Sequence, residues 1–154
     1  MSTATPAAQL AGFIAKFDAS MARRIRSVRS ALRKRFPTAN ELVYDNYNFF
    51  VIGYSPTERP SDTIVSLAAD AHGVGISFYH GATLADPHGL LHGSGVQNRF
   101  LRDVDAATLL QPEVVALLRA AAAQAKPLPR TGGGKLVIRS VSAKQRPRRM
   151  ARKV

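Results

Sequence analysis

GISFYHGATLADPHGLLHGSGVQNRFLRD, residues 75–103, is the stretch on which the reading of this chain turns. Ile76 and Phe78 alternate with small residues, and Tyr79-His80 leads into a loop. Phe100 and Leu101 then lie in a second apolar run, Arg99–Val104. Gly81, Asp86-Pro87, His88-Gly89 and Gly93-Ser94-Gly95 lie between. The pattern predicts two strands joined by a long glycine-rich connection. Loops of that length inside compact domains often carry function. Gly93, Ser94, Gly95, Arg99 and Arg102 are therefore candidate contacts for an anion. Glycines let backbone N–H groups converge, and arginines supply bidentate charge. The glycine spacing and strand order match neither a P-loop nor a dinucleotide-binding fingerprint. The plainer reading is a turn that requires positive φ at Gly93 or Gly95.

Upstream, Thr63–Ala69 and Val74–Tyr79 read as strands around an Ala71-His72-Gly73 turn. Glu41–Tyr54, ELVYDNYNFFVIGY, is rich in aromatic and β-branched residues, with a turn or bulge at Asp45-Asn46, which predicts a hairpin or one bent strand pair. Alternation sends about half of its aromatic residues to the core. Tyr44 and Tyr79 are candidates for the other face, where tyrosines beside arginines would form a stacking platform.

The N-terminal part is helical. Thr5-Pro6 is a good start, and Leu10, Phe13, Ile14, Phe17, Met21, Ile25, Val28 and Leu32 form one apolar stripe. Asp18 is placed to cap a second helix after a break, and Pro37 stops it. Lys16, Arg23, Arg26, Arg33 and Lys34 fall on the opposite side. Asp105 reads as the cap of a further helix carrying Leu109, Leu110, Val114, Leu117 and Leu118, with Pro112 dividing it. After Thr131-Gly132-Gly133-Gly134, residues Lys135–Ser142 alternate as a last strand. Residues 143–154 are polar and basic, and are expected to fray or to order only on a partner. The order of elements predicts one α+β domain over residues 5–142, a two-layer fold with an antiparallel sheet and the N- and C-terminal helices on one face.

The chain has 154 residues, 45% hydrophobic, with no cysteine and a formal net charge of +12. That length supports a core without staples. The missing thiols exclude disulfides, thiolate catalysis and Cys-based zinc or iron–sulfur sites. The N-terminal MSTATPAAQL lacks both a basic start and an apolar signal core, and no run reaches the length of a membrane span, so a cytoplasmic protein without a membrane partner is expected. Residues 1–36 hold eight basic residues against Asp18, and residues 130–154 hold nine against no acid, while the middle carries five against nine acids. A faintly acidic body with basic ends points to an anionic partner.

The residues EXXYXXYNFF at 41–50, GATLADPHGLLHGSG at 81–95 followed by Arg99, and GKLVIRSVSAKQRPRR at 134–149 resemble the YdhG-like domain-of-unknown-function family. The resemblance implies a compact α+β domain of antiparallel strands flanked by helices. One branch of that family is described as frataxin-like iron chaperones, which implies iron as an alternative ligand. Frataxin-type sites use a carboxylate-rich first helix, whereas the first helix here carries arginine and lysine.

Three functional expectations follow. The leading one is a non-enzymatic binding or adaptor module for an anionic ligand, without a cofactor, since no nucleophile has a base and an orienting group in reach; Ser94 near His92 lacks the third member. The first alternative is iron delivery, with His80, Asp86, His88 and His92 as ligands. The plainer reading there is that Asp86 caps a short Pro87–Leu91 turn. The second alternative is a nucleic-acid accessory protein, with Arg23, Arg26, Arg33, Lys34, Lys144, Arg146, Arg148 and Arg149 on phosphates.

Overall fold

Two side-chain caps set the N-terminal layer. The Thr5 hydroxyl accepts from the Ala8 N–H at 3.2 Å and starts α1, Pro6–Ala15. The Asp18 carboxylate accepts from the Met21 N–H at 2.8 Å and starts α2, Ala19–Arg35, so the helix breaks where its cap residue stands. The apolar stripe is buried along both helices, Met21 only partly. The computed structural model describes residues 4–151.

The strands are β1, Asn40–Asp45; β2, Phe50–Ser55; β3, Val65–Asp70; β4, Gly73–Phe78; β5, Arg99–Leu101; and β6, Leu136–Val141. A third helix, α3, Pro112–Gln124, separates the last two. They form one sheet in the order β5-β4-β3-β2-β1-β6. All neighbours are antiparallel except β1 and β6, which run parallel, with Leu42 opposite Val137 and a register shift after Val43. The expected antiparallel sheet thus gains one parallel edge, because α3 carries the chain back before β6 forms.

All three helices cover one face. Val65, Leu67, Ala69, Val74, Ile76 and Phe78 point toward them, and Phe13 and Phe17 meet Phe50 at ring-centroid distances of 6.3 and 6.1 Å. Each such fully buried valine, leucine, isoleucine or phenylalanine contributes about 1.5–3 kcal/mol. The structure moves one helix start: Asp105 accepts from the Thr108 N–H at 2.9 Å in the turn that leads into a 3-10 helix, Thr108–Leu110, while α3 begins at Pro112. Among the described residues no helix is long and apolar enough to cross a membrane.

The closing segment is the largest departure from expectation. Residues 142–149 pack against the β1–β2 turn: the Ser142 N–H donates to the Asp45 carbonyl at 2.9 Å, and the Arg146 N–H to the Tyr47 carbonyl at 2.9 Å. Arg148 is 4% exposed and donates to the buried Asp45 carboxylate at 2.9 Å. A carboxylate shut away from water requires a partner charge, and that demand orders a segment too poor in apolar residues to pack by itself. Residues 152–154 of the expected tail lie outside the described residues.

Candidate functional site: the uncovered face of the sheet

With the helices on one side, the outward residues of β3, β4 and β5 remain uncovered. Ala68, Gly75 and Ser77 make a floor of small residues, and a trough of about 470 Å³ lies over it. The floor is bare for a structural reason. A Cβ on Gly75 would come within 2.8 Å of the Leu101 carbonyl oxygen, so the approach of β5 demands glycine there. Phe49, just before β2 and 45% exposed, closes one end. Phe100 stands at the other end, opposite Ser77.

Polar groups surround these rings. The Arg102 guanidinium lies 5.3 Å from the Phe100 ring centroid, close enough for a cation–π contact, and the His92 ring lies 5.8 Å away. The Ser77 hydroxyl donates to the Asn98 side-chain oxygen at 2.6 Å, which leaves the Asn98 amide N–H groups for an incoming acceptor. Asp70 accepts from the His72 and Gly73 N–H groups at 2.8 and 3.2 Å through one oxygen.

A second groove shares Phe49, Asp70 and His72 and continues to Arg146, Arg149 and Met150. Arg146 lies 5.7 Å from the Tyr47 ring centroid. The closing segment thus turns Arg148 inward and leaves Arg146 and Arg149 exposed beside the trough. Among the described residues no carboxylate lies within 4.0 Å of Arg102, Arg146 or Arg149. Comparison with protein-family models, with curated proteins and with solved structures returns no match.

The residues expected from the sequence divide. Arg102 lines the trough. Arg99 does not: its Nη1 donates to the Gly95 and Asn98 carbonyls at 2.5 and 2.8 Å and pins the loop end. Gly93 has a φ of 112°, the turn conformation, whereas Gly95 has no such requirement, and Ser94 is exposed. Of the two arginines flanking the Gly93–Gly95 loop, Arg99 is thus directed to loop carbonyls and Arg102 to the trough. Tyr44 and Tyr79 are half-buried. Burial raises the pKa of the Tyr44 hydroxyl, Arg139 draws it back in part, and nearby Tyr79 pushes it up. Tyr79 packs edge-on against His80 at 4.8 Å.

The four residues weighed as metal ligands are not brought together. Asp86 accepts from the Leu90 and Leu91 N–H groups, both at 2.9 Å, so it caps the local turn. His80 Nε2 is 3.1 Å from the Ser61 carbonyl, His92 lies on Phe100, and His88 is exposed. Among the described residues no three His, Asp or Glu side chains converge, which corrects the His80–Asp86–His88–His92 set.

The phosphate set is also trimmed. Arg23, Arg26, Lys34 and Lys144 are exposed. Arg29 forms a bidentate pair with Glu41 at 2.9 Å, with Arg33 3.8 Å away, and the buried Tyr54 hydroxyl donates to the same carboxylate at 2.9 Å. Burial, reinforced by the Glu41 charge, lifts the Tyr54 pKa well above its ordinary value. Lys16 turns from the outer face to Asp45 at 2.6 Å. Arg148 is corrected from a phosphate contact to the partner of Asp45. Sequence reasoning missed Phe49, Phe100, His72 and Asn98 as site residues. The one available signal was the parity of Phe49-Phe50, which sends one ring out whenever the other points in.

Proposed function

We propose that this chain is a YdhG-like, non-enzymatic binding module of the cytoplasm whose partner is anionic, and that it engages that partner over the uncovered sheet face. The observation that carries the reading is the set Arg102, Arg146 and Arg149 around the trough, exposed and without an internal carboxylate partner among the described residues. Elsewhere Glu41, Asp45, Glu58 and Asp62 each hold a basic side chain. Unpaired arginines beside a concave surface attract phosphate or carboxylate groups and hold them bidentately.

The test is titration with inorganic polyphosphate at low salt. Binding is expected, with affinity falling as salt rises. The triple variant Arg102→Gln, Arg146→Gln, Arg149→Gln should bind at least tenfold more weakly, each lost exposed charge being worth up to about 1 kcal/mol. A wild-type chain that ignores polyphosphate, or a triple variant that binds it unchanged, overturns the proposal.

A further inference from the structure

Resting on that reading, we infer that the anionic partner is a single-stranded nucleic acid, with bases stacked on Phe49 and Phe100 and phosphates on Arg102, Arg146 and Arg149. A folded polyanion or an acidic peptide would need only the arginines. It would gain nothing from two aromatic rings set at opposite ends of a floor stripped of side chains.

The register fixes the spacing of the rings. Phe50 pairs with Ala69, so Phe49 continues opposite Asp70, which pairs with Gly73; Phe100 pairs with Ser77. From Gly73 to Ser77 the strand rises four residues, about 13 Å, and β2 lies three strand spacings, about 14 Å, from β5, which sets the rings roughly 19 Å apart. Two bases can therefore each find a ring, with the floor of Ala68, Gly75 and Ser77 between them.

The edges of the trough match bases as well as phosphates. Asn98 offers amide N–H groups, while Asp103 and the second oxygen of Asp70 offer acceptors. Unstacked bases present both kinds of group once they leave a duplex. Duplex DNA keeps its base faces stacked on one another and shows only base edges and phosphates, so it would leave Phe49 and Phe100 without a stacking partner. Arg102 already lies over Phe100, an arrangement that holds a phosphate next to a stacked base.

The experiment measures fluorescence anisotropy of three labelled probes against the full chain: a mixed-sequence single strand of twelve nucleotides, an abasic strand with the same backbone, and a blunt duplex. The single strand should bind at least tenfold tighter than the abasic strand. Phe49→Ala and Phe100→Ala should each weaken single-strand binding by about 5- to 150-fold, the loss of one base–aromatic stack, and leave the abasic strand unchanged. Phe49→Tyr should restore it. Arg146→Gln should weaken all three probes and flatten the salt dependence by about 0.7 in log–log slope on single strands. Circular dichroism checks that both phenylalanine variants keep the fold. Equal affinity for the abasic and the normal strand, tighter binding of the duplex, or phenylalanine variants that bind as wild type, with polyphosphate still bound, overturn the inference and leave the anionic-partner reading standing. Failure of every probe, polyphosphate included, overturns both.

Discussion

Asp45 gathers two distant parts of the chain, the end of α1 and the closing segment. Its carboxylate accepts from Lys16 at 2.6 Å and from Arg148 at 2.9 Å, while Gln145 donates to its backbone carbonyl at 2.7 Å. Arg148 spends Nη2 on Asp45 and on the Asn46 carbonyl, and its Nε and Nη1 have no protein partner. Replacing Arg148 by alanine leaves a buried carboxylate with Lys16 alone, and should cost about 2–4 kcal/mol in urea unfolding. Arg149→Ala, an exposed side chain bonded only to the Lys16 carbonyl, should stay within about 1 kcal/mol. The same site sets an acid limit. Burial pushes the Asp45 pKa up, but hydrogen bonds from Lys16, Arg148 and Gln145 outweigh it and hold the group below its ordinary value. A depressed folded pKa means the unfolded chain takes up its proton first. The stabilisation is therefore complete above about pH 4 and drains as pH falls through the lower folded value. Urea midpoints measured from about pH 6 to 2 should be flat and then drop. In Asp45→Asn that drop should be shallower; a drop of equal depth would assign it to other carboxylates.

The edge strand β6 depends on a single residue without a side chain. A Cβ on Gly134 would overlap the Ala39 carbonyl and come within 2.7 Å of the Asn40 N, where the chain enters its parallel pairing with β1. Gly134→Ala should therefore cost about 1–3 kcal/mol in thermal unfolding. Gly133→Ala, with open space around it, should stay within about 0.5 kcal/mol; equal effects would show that backbone entropy, not overlap, governs this turn. The elements that local chemistry dictates were legible in the sequence. Thr5 and Asp18 cap helices because the side-chain oxygen and the N–H it satisfies are three residues apart. The β1–β2 hairpin declared itself by its turn, where the Asn46 N–H donates to the Phe49 carbonyl. The partner of β6 was not legible, since a period of two is the same for parallel and antiparallel pairing. The ordered closing segment was hidden too: its anchor, Arg148 to Asp45, spans 103 residues, and composition carries no sign of a contact made at that range.

Over the whole molecule, charge was legible and its placement was not. With 22 basic and 10 acidic residues, even complete internal pairing would leave a surplus of positive side chains, so an attraction to anions follows from the sequence alone. Which arginines supply it depends on tertiary structure, because Arg29 and Arg148 are consumed by Glu41 and Asp45 while Arg102, Arg146 and Arg149 are not. The glycine loop drew attention by composition, yet the trough is built from outward positions of three strands that are scattered in sequence. The surplus also strains the folded state, since compaction brings like charges together. Salt screens exposed repulsion over about 8–10 Å, whereas the buried pairs at Glu41 and Asp45 are screened much less. Raising sodium chloride from about 20 to 300 mM should therefore raise the thermal midpoint by a few degrees. The triple glutamine variant, relieved of three charges, should start from a higher midpoint at low salt and gain less. A midpoint that falls with salt would mean that exposed ion pairs such as Lys135–Glu58, and not repulsion among the arginines, govern the electrostatics of the fold.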